Sequence, residues 1–319
     1  MSDCPVCQAG ADRPVTSYRR FGLDMKVVIC TQCGLVRSDP MPTDEELLKA
    51  RGGSLTRVHR PTYCRRVSLG RAKRYLRGVS RYVKPGDSLL DIGCGDCSFV
   101  AAAARQGLVC TGLDINPSPA EEMPPQARIV TGTIDSLDAE SERFDAITAF
   151  HLLEHIAEPG PFLDRVRGLL KPGGVLLLEV PNTLRPKMSL QRYFCPQHHY
   201  YFCPDTLVAL LARNGFRPLS VTCFARDSFQ AAATPGECGD PVLRKGADWR
   251  RVMAAIQRHR WAYKASGMFI WRKIPVSYTH LRAHETVLEL VCRLLLEKKK
   301  QHTTTSTPYC STPPQPPQH

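Results

Sequence analysis

Four cysteines near the start of the chain fall into two C-x2-C pairs, Cys4/Cys7 and Cys30/Cys33, with 22 residues between the pairs. Each pair suits a tight knuckle that aims two thiolates at one ion. Two knuckles joined by a hairpin complete a tetrahedral sulfur site for Zn2+. Gly34 follows the second pair, where such a turn favours a residue without a side chain. Four thiolates leave no open coordination position, so a zinc ion here is structural and holds together about 40 residues with little core of their own. A redox pair or unbound thiols are the alternatives.

The stretch 88–100, SLLDIGCGDCSFV, is the second place where residue types and spacing suggest chemistry. An apolar run ends at Asp91 and gives way to Gly93 and Gly95, which let backbone approach a ligand closely. A dinucleotide fingerprint requires G-x-G-x-x-G, and Ser98 stands where its third glycine belongs. A carboxylate at Asp91 opposes a pyrophosphate and suits a cationic group. Asp114 lies 19 residues after Gly95, at the tip of the next expected strand, where an acid can bind both hydroxyls of a ribose. A ligand with a ribose and a positive amine but no phosphate satisfies both acids, and S-adenosylmethionine is such a ligand. Cys94 and Cys97 spell another C-x2-C, but their place in this loop argues against a metal.

Two histidine clusters offer proton acceptors, because imidazole titrates near neutrality. His151 and His155 flank Leu152-Leu153-Glu154, and a spacing of four puts both on one face of a helical turn, as a metal pair would require. His198 and His199 lie in CPQHHYYFCPDTL, followed by Tyr200 and Tyr201.

These groups need a scaffold, and an alternation of strand and helix patterns supplies one. Strands are expected at 88–93, 108–115, 127–132, 144–150 and 175–180. Helices are expected at 97–107, at 160–170 with a stop at Lys171-Pro172-Gly173-Gly174, and at 204–215. FRPLSVTCF and DSFQAAAT form a closing antiparallel pair. The pattern is that of a doubly wound, mostly parallel α/β sheet, which binds ligands at the carboxyl ends of its strands near the switch point.

The segments LLDIGCGDCSFV, TGLDIN, RFDAITAFHLLEHIAEP, LLKPGGVLLLEVPN and HHYYFCPDTLVALLARNGF follow the order seen in class I S-adenosylmethionine-dependent methyltransferases. With the cysteine pairs and CGLVRSDPMPTDEELL, residues 1–234 resemble the bacterial subgroup that joins a zinc ribbon to this domain. Its members often act in sugar, surface-polysaccharide or secondary-metabolite pathways. The resemblance implies a Rossmann-like, doubly wound, seven-stranded methyltransferase domain over 86–235. A zinc ribbon over 1–40 and a basic helical linker over 41–85 precede it, and a helical extension over 236–275 follows.

The resemblance also implies site roles. Asp91, Gly93 and Gly95 line the methionine end of the donor. Asp114 takes the ribose hydroxyls, Ile115 lies against the adenine, and Thr133 and Ile134 edge the adenine pocket. Phe150 and His151 close the fourth strand beside the methyl group. Cys97 replaces a glycine common in the family's loop. The Leu-Glu-His element is mostly architectural in this family, with His155 a secondary active-site candidate. The HHYYF segment is similar to one in sugar C-methyltransferases, where a Glu-His pair provides the base. His198 falls on that histidine and Gln197 on the glutamate, so the orienting carboxylate is missing and an oxygen acceptor suits better than a carbon acid. His198 is the first candidate for the base, with Tyr200 and Tyr201 behind it.

The expected activity is methylation of a sugar, nucleotide-sugar or related small molecule, with S-adenosylmethionine as donor and Zn2+ as a structural ion. An RNA methyltransferase is an alternative, although Phe150-His151-Leu152-Leu153 replaces the Asn/Asp-Pro-Pro-aromatic tetrad of enzymes that methylate base amines. A non-catalytic cofactor-binding module is another. Ser98 and Asp91 disfavour a dehydrogenase.

The 319 residues, 43% hydrophobic, suffice for one good core with small appendages. No run of 18 apolar residues occurs, so no membrane span is expected. The opening MSDCPVCQAG lacks the pattern of a secretion signal, so the 14 cysteines are expected to stay reduced or bind metal in the cytoplasm. Of a net charge of +13, ten Lys or Arg and no acid fall between Arg57 and Lys84. That run reads as a solvated linker or as a surface that grips a phosphorylated or nucleotide-linked acceptor. A basic amphipathic helix is expected around 247–265. From about 276 the chain resembles a translated sequencing adapter and then turns Thr/Pro/Gln-rich, so these residues are expected to be a non-native, disordered tail.

Overall fold

The computed structural model describes residues 3–43, 45–47, 63–119, 123–223 and 227–266. The expected tail from 276 lies outside these residues. The described residues belong to one compact unit built on two sheets.

The first sheet is the N-terminal ribbon. Strands β1 (Asp12–Arg20) and β2 (Leu23–Cys30) form an antiparallel hairpin, and β3 (Val36–Ser38) pairs antiparallel with β2. The hairpin turns at Phe21-Gly22, both at positive φ (53° and 80°), the twist that suits two-residue hairpin loops. The buried guanidinium of Arg37 on β3 forks onto both carboxylate oxygens of Asp12 at 2.7 Å each, tying β3 to the start of β1.

The second sheet has strands β4 (Ser88–Ile92), β5 (Val109–Asp114), β6 (Ala127–Thr131), β7 (Phe144–Phe150), β8 (Leu170–Pro181), β10 (Phe216–Thr222) and β11 (Ser228–Pro235). Their order is β10-β11-β8-β7-β4-β5-β6, with β8, β7, β4, β5 and β6 parallel and the last two strands in sequence antiparallel. This is the expected doubly wound sheet with its closing pair. The chain winds outward from β4 to β6, then returns to β7 on the other side of β4. The switch-point crevice therefore opens above the ends of β4 and β7.

Helices α1 (Tyr63–Val79), α2 (Ser98–Ala104), α3 (Pro159–Leu169), the short α4 (Leu190–Tyr193), α5 (Pro204–Arg213) and α6 (Trp249–Ala265) complete the unit. Alternate residues of the buried strands serve opposite layers, as the two-residue period of a strand requires. Leu90 and Ile147 pack with Leu163 and Val166 of α3 and Leu207 and Leu210 of α5. Leu89 and Ala146 pack with Tyr75 and Val79 of α1 and Phe99 and Val100 of α2. Gly112 of β5 lets these pieces meet: a Cβ there would stand 2.9 Å from Ile129 Cδ1, 3.0 Å from Cys94 Sγ and 3.1 Å from Val100 Cγ2. Gly112→Ala is expected to destabilise by about 1–3 kcal/mol through overpacking. An unchanged urea midpoint would contradict this.

Three expectations change. The Lys171-Pro172-Gly173-Gly174 run does not separate helix from strand, because β8 begins at Leu170 and runs through it. The β7–β8 register jumps from Phe144↔Leu170 to Ala146↔Val175, so these residues are absorbed as an irregularity in a continuous strand. The basic stretch 41–85 is helical as expected, in α1, but it is not a solvated linker there, because Ala72, Tyr75 and Val79 are buried against the domain. The remainder of that stretch from 48 to 62 lies outside the described residues. A strand unforeseen in the sequence, β9 (Tyr200–Tyr201), leaves the loop after β8 and joins the ribbon beside β3, pairing Val36↔Tyr201 and Arg37↔Tyr200.

The expected C-terminal helix is present as α6, capped by Asp248, whose side chain accepts from Arg250 N. It packs on the ribbon: Val252 and Ile256 share a core with Val27, Ile29, Phe194 and Tyr201. Among the described residues no helix is long and apolar enough to cross a membrane.

Candidate active site

At the tip of β4, Asp91 is buried and Thr148 Oγ1 donates to its Oδ1 at 2.6 Å. Burial raises its pKa to about 7, against the opposing pull of the Thr148 hydrogen bond. The following loop turns through left-handed backbone at Gly93 (φ 77°), Gly95 (φ 52°) and Cys97 (φ 55°). The first two positions are glycines for that reason. Cys97 occupies the same region with a side chain, which costs some strain. Cys94 and Cys97 bring their sulfurs within 3.5 Å, but no third ligand joins them among the described residues.

Asp114 braces this loop from the end of β5. Gly95 N donates to its Oδ2 at 2.9 Å, and Asn116 N to its Oδ1 at 2.8 Å. Each oxygen keeps a second lone pair free to accept from a hydroxyl. Ile115, next along, is 63% exposed, an apolar surface at the rim of the loop. Thr133 precedes the short 3-10 turn Ile134–Ser136, and Ile134 packs against the core.

On the other side of the crevice, Phe150 ends β7 stacked on Tyr75 of α1, with ring centroids 3.9 Å apart, and Phe99 meets both rings edge-on. His151 follows with φ at +54°. Its Nε2 lies 3.2 Å from Glu179 Oε1 and its Nδ1 3.4 Å from Glu154 Oε1. Burial opposes its charge, but the bonds to Glu154 and Glu179 outweigh burial and raise its pKa to about 9. Glu179, buried on β8, also takes the guanidinium of Arg74, Ser228 Oγ at 3.1 Å and Gln230 Nε2 at 2.8 Å. His151 is thus anchored between two carboxylates. It does not pair with His155, and the metal pair read from their spacing does not form. The turn between them is a 3-10 turn, Leu153–His155, which rotates the two rings to different neighbours.

His155 faces His198 instead. Its Nδ1 donates to Gln197 O at 2.7 Å, and the two rings meet edge to face with centroids 4.7 Å apart. Glu154, 1% exposed, completes the group, and one ligand atom from each of Glu154, His155 and His198 lies within 4.8 Å of the others. Burial pushes His198 down to about 4, against the pull of Glu154, so its ring is neutral at pH 7. A carboxylate from a different loop, Glu154, thus lies near His198 although Gln197 supplies none, without a hydrogen bond to His198 Nδ1 among the described residues.

Tyr201 and Tyr200 direct their hydroxyls to backbone carbonyls rather than to the histidine cluster. Tyr201 Oη donates to Cys195 O at 3.0 Å inside the ribbon core, and burial holds its pKa well above 10. Tyr200 Oη donates to Ala157 O at 2.7 Å. Both phenols are committed to backbone carbonyls because β9 draws their strand into the ribbon. The same pairing fixes the histidine loop: Ser38 N donates to His199 O at 3.0 Å, and Ser38 Oγ to His198 O at 3.1 Å.

In the ribbon, the cysteine quartet converges. Cys4 and Cys33 sulfurs lie 3.4 Å apart, as do those of Cys7 and Cys30, and all four fall within 4.8 Å of one another. A tetrahedral Zn–S bond of about 2.3 Å implies S···S edges of about 3.8 Å, which these spacings bracket.

Residues 67–221 match the family described as "Methyltransferase domain". Those residues therefore carry a methyltransferase domain, built on the doubly wound seven-stranded sheet described above. The Ubiquinone biosynthesis O-methyltransferase of Coxiella burnetii (strain Dugway 5J108-111) is 33% identical over 104 residues, 30% of this chain and 44% of that protein. Its counterpart in Xanthomonas campestris pv. campestris (strain B100) is 33% identical over 120 residues, 35% of this chain and 50% of that protein. The chain thus spans about half the length of the curated relatives it matches. The fold is also that of Burkholderia thailandensis 1,6-didemethyltoxoflavin-N1-methyltransferase, solved with 1,6-didemethyltoxoflavin and S-adenosylhomocysteine. That structure has a TM-score of 0.50 and 20% identity, and the match covers 67% of this chain and 96% of that one.

Three participants escaped the sequence reading: Glu154 as the carboxylate near His198, Glu179 as the anchor of His151, and Tyr75 as the cover over Phe150. Glu179 left a signal, a lone acid inside the apolar run VLLLEV. Tyr75 left none, because it lies in a stretch that reads as solvated.

Proposed function

We propose that the chain transfers the methyl group of S-adenosylmethionine to a hydroxyl of a small-molecule acceptor. The observation that carries this reading is the pair of carboxylates, Asp91 buried at the tip of β4 and Asp114 at the tip of β5, with a left-handed loop between them. Asp91 with Gly93 and Gly95 faces the donor's amine end. Asp114 takes the ribose, Ile115 covers the adenine, Thr133 and Ile134 edge its pocket, and Phe150 and His151 flank the methyl group. The sulfonium is already activated, so alignment of donor and acceptor supplies much of the rate. What remains is to lower the hold of the acceptor oxygen on its proton, and Glu154, His155 and His198 are the groups placed for it. The relatives named above are O-methyltransferases, which favours oxygen over carbon as the acceptor atom. A sugar, a nucleotide-sugar or a related metabolite is the proposed class.

Of the ten charges in the basic run that motivates the RNA alternative, Arg74 is turned inward onto Glu179 and is not offered to a nucleic acid. The test is incubation of the protein with methyl-labelled donor and separate small-molecule and RNA fractions of a cell extract. Label in the small-molecule fraction is the expected result, and label confined to RNA, or none, overturns the reading.

Donor affinity should depend on pH through Asp91. Its pKa near 7 leaves it largely neutral below that pH, and a cationic amine binds the ionised form. Affinity is expected to rise with pH and to level off above about 7, falling toward tenfold per unit below it. Calorimetry across that range would show a flat profile if Asp91 does not meet the amine.

We also propose that the cysteine quartet holds Zn2+ and that the chain works in a reducing, cytoplasmic setting, where thiolates stay available to a metal. Cys33→Ser should loosen the ribbon and, through β3, β9 and Ser38, the loop that carries His198. A displacement of that kind is expected to lower turnover by about 10²-fold. Donor binding should persist, and equal turnover with zinc lost would contradict the coupling.

A further inference from the structure

We propose that Glu154, His155 and His198 form a second divalent-cation site, separate from the cysteine quartet and with coordination positions open to an oxygen of the acceptor. Two imidazoles and one carboxylate are a donor set that suits first-row divalent metals, and three protein ligands leave room for an exogenous one. Ligand bonds of about 2.0–2.2 Å place neighbouring donor atoms about 3–4.4 Å apart around one ion. The three groups offer atoms within 4.8 Å of one another without bonding to each other.

The stronger argument is what these atoms lack. Among the described residues, Glu154 Oε2 and His198 Nδ1 are buried with no hydrogen-bond partner, and Glu154 Oε1 has only the His151 Nδ1 contact at 3.4 Å. A buried carboxylate oxygen and a buried imidazole nitrogen that make no hydrogen bond each carry an uncompensated desolvation cost, which a group placed between them would relieve. His151 Nδ1, 3.4 Å from Glu154 Oε1, balances part of the charge and leaves Glu154 Oε2 and His198 Nδ1 unsatisfied. A cation between Glu154, His155 and His198 satisfies all the orphaned atoms at once.

The surroundings are those of a built site. His155 donates Nδ1–H to Gln197 O, which fixes the tautomer and leaves the lone pair on Nε2, the usual arrangement of a metal-bound histidine. Glu154 and His155 sit on one 3-10 turn, and Glu154 O accepts from His199 N at 2.8 Å, so the two loops are stitched together. Ser38 of the ribbon then holds His198 O. The consequence for chemistry rests on the methyl-transfer reading, whereas the site itself does not. A hydroxyl that coordinates the cation gives up its proton more readily. The oxygen then bonds the methyl carbon, the C–S bond breaks with its electrons left on sulfur, and the proton goes to solvent.

The test is titration of the metal-stripped full chain with Co2+, read by absorption. The cysteine quartet takes one equivalent, marked by thiolate-to-cobalt charge transfer. The expected result is a second equivalent with ligand-field bands alone. In His155→Ala/His198→Ala, and separately in Glu154→Gln, the second equivalent should weaken by at least about 10–100-fold while the first is retained. The retained charge-transfer band shows that the variants are folded. Saturation of the wild type at one equivalent overturns the proposal. So does a second equivalent that survives in the double variant, or one that itself shows thiolate charge transfer and so belongs to Cys94 and Cys97. Donor binding, measured separately, reports on the methyl-transfer reading whatever the cobalt result.

Discussion

Asp114→Ala is expected to weaken donor binding by about 10²–10⁴-fold, the loss of two hydrogen bonds to a charged acceptor. Two effects combine. The direct one is removal of the oxygens that would hold the ribose hydroxyls. The indirect one is release of Gly95 N and Asn116 N, which now donate to the two carboxylate oxygens. Asp114→Asn separates them, because the amide keeps one acceptor oxygen and the shape of the side chain but not the charge. Its defect should fall between wild type and alanine. Isothermal titration with S-adenosylhomocysteine measures both, and wild-type affinity in Asp114→Ala would remove this residue from the donor site.

His198→Ala is expected to lower methyl transfer by about 10²–10⁴-fold with donor affinity unchanged. The ring is buried, neutral at pH 7 and set against His155 and Glu154. It lies on a loop that Ser38 ties to the ribbon, whereas the proposed donor contacts are at the tips of β4 and β5. On that reading, removing the ring affects the acceptor side and spares donor binding. The neighbouring Tyr201→Phe should differ in kind, since its hydroxyl serves Cys195 O within the ribbon core and its loss is a matter of stability rather than of rate. Single-turnover kinetics with saturating donor would show the contrast, and normal turnover in His198→Ala would exclude a role in the reaction.

Much of the scaffold was legible because local rules and global fold agree. Phe144–Phe150 is a short, nearly continuous apolar run, and it forms a strand with those limits. Gly93 and Gly95 announce a backbone that must turn left-handed, and it does. The 19-residue interval to Asp114 converts directly into the pairing of β4 with β5, which brings Gly95 N and Asp114 Oδ2 to 2.9 Å.

What escaped is non-local. Proline and two glycines at 172–174 carry the composition of a turn, yet the partner strand β7 accommodates them within β8. The two-residue strand β9 has no sequence signature of its own, and its partner β3 lies more than 160 residues earlier. That single pairing decides the fate of Tyr200 and Tyr201, whose side-chain types alone read as proton acceptors. Likewise Gln197 implied a missing carboxylate, because the search ran along one loop. The acid that lies near His198 is Glu154, delivered by a turn that reads as architecture. The turn does both tasks: Leu153 is fully buried in the core while Glu154 and His155 face His198.

The most direct measurement is calorimetric titration of the purified chain with S-adenosylmethionine and, separately, with a nicotinamide dinucleotide. Saturable one-to-one binding of the adenosyl sulfonium with no heat from the dinucleotide is expected from carboxylates at both strand tips. Binding of the dinucleotide in place of the sulfonium would contradict it.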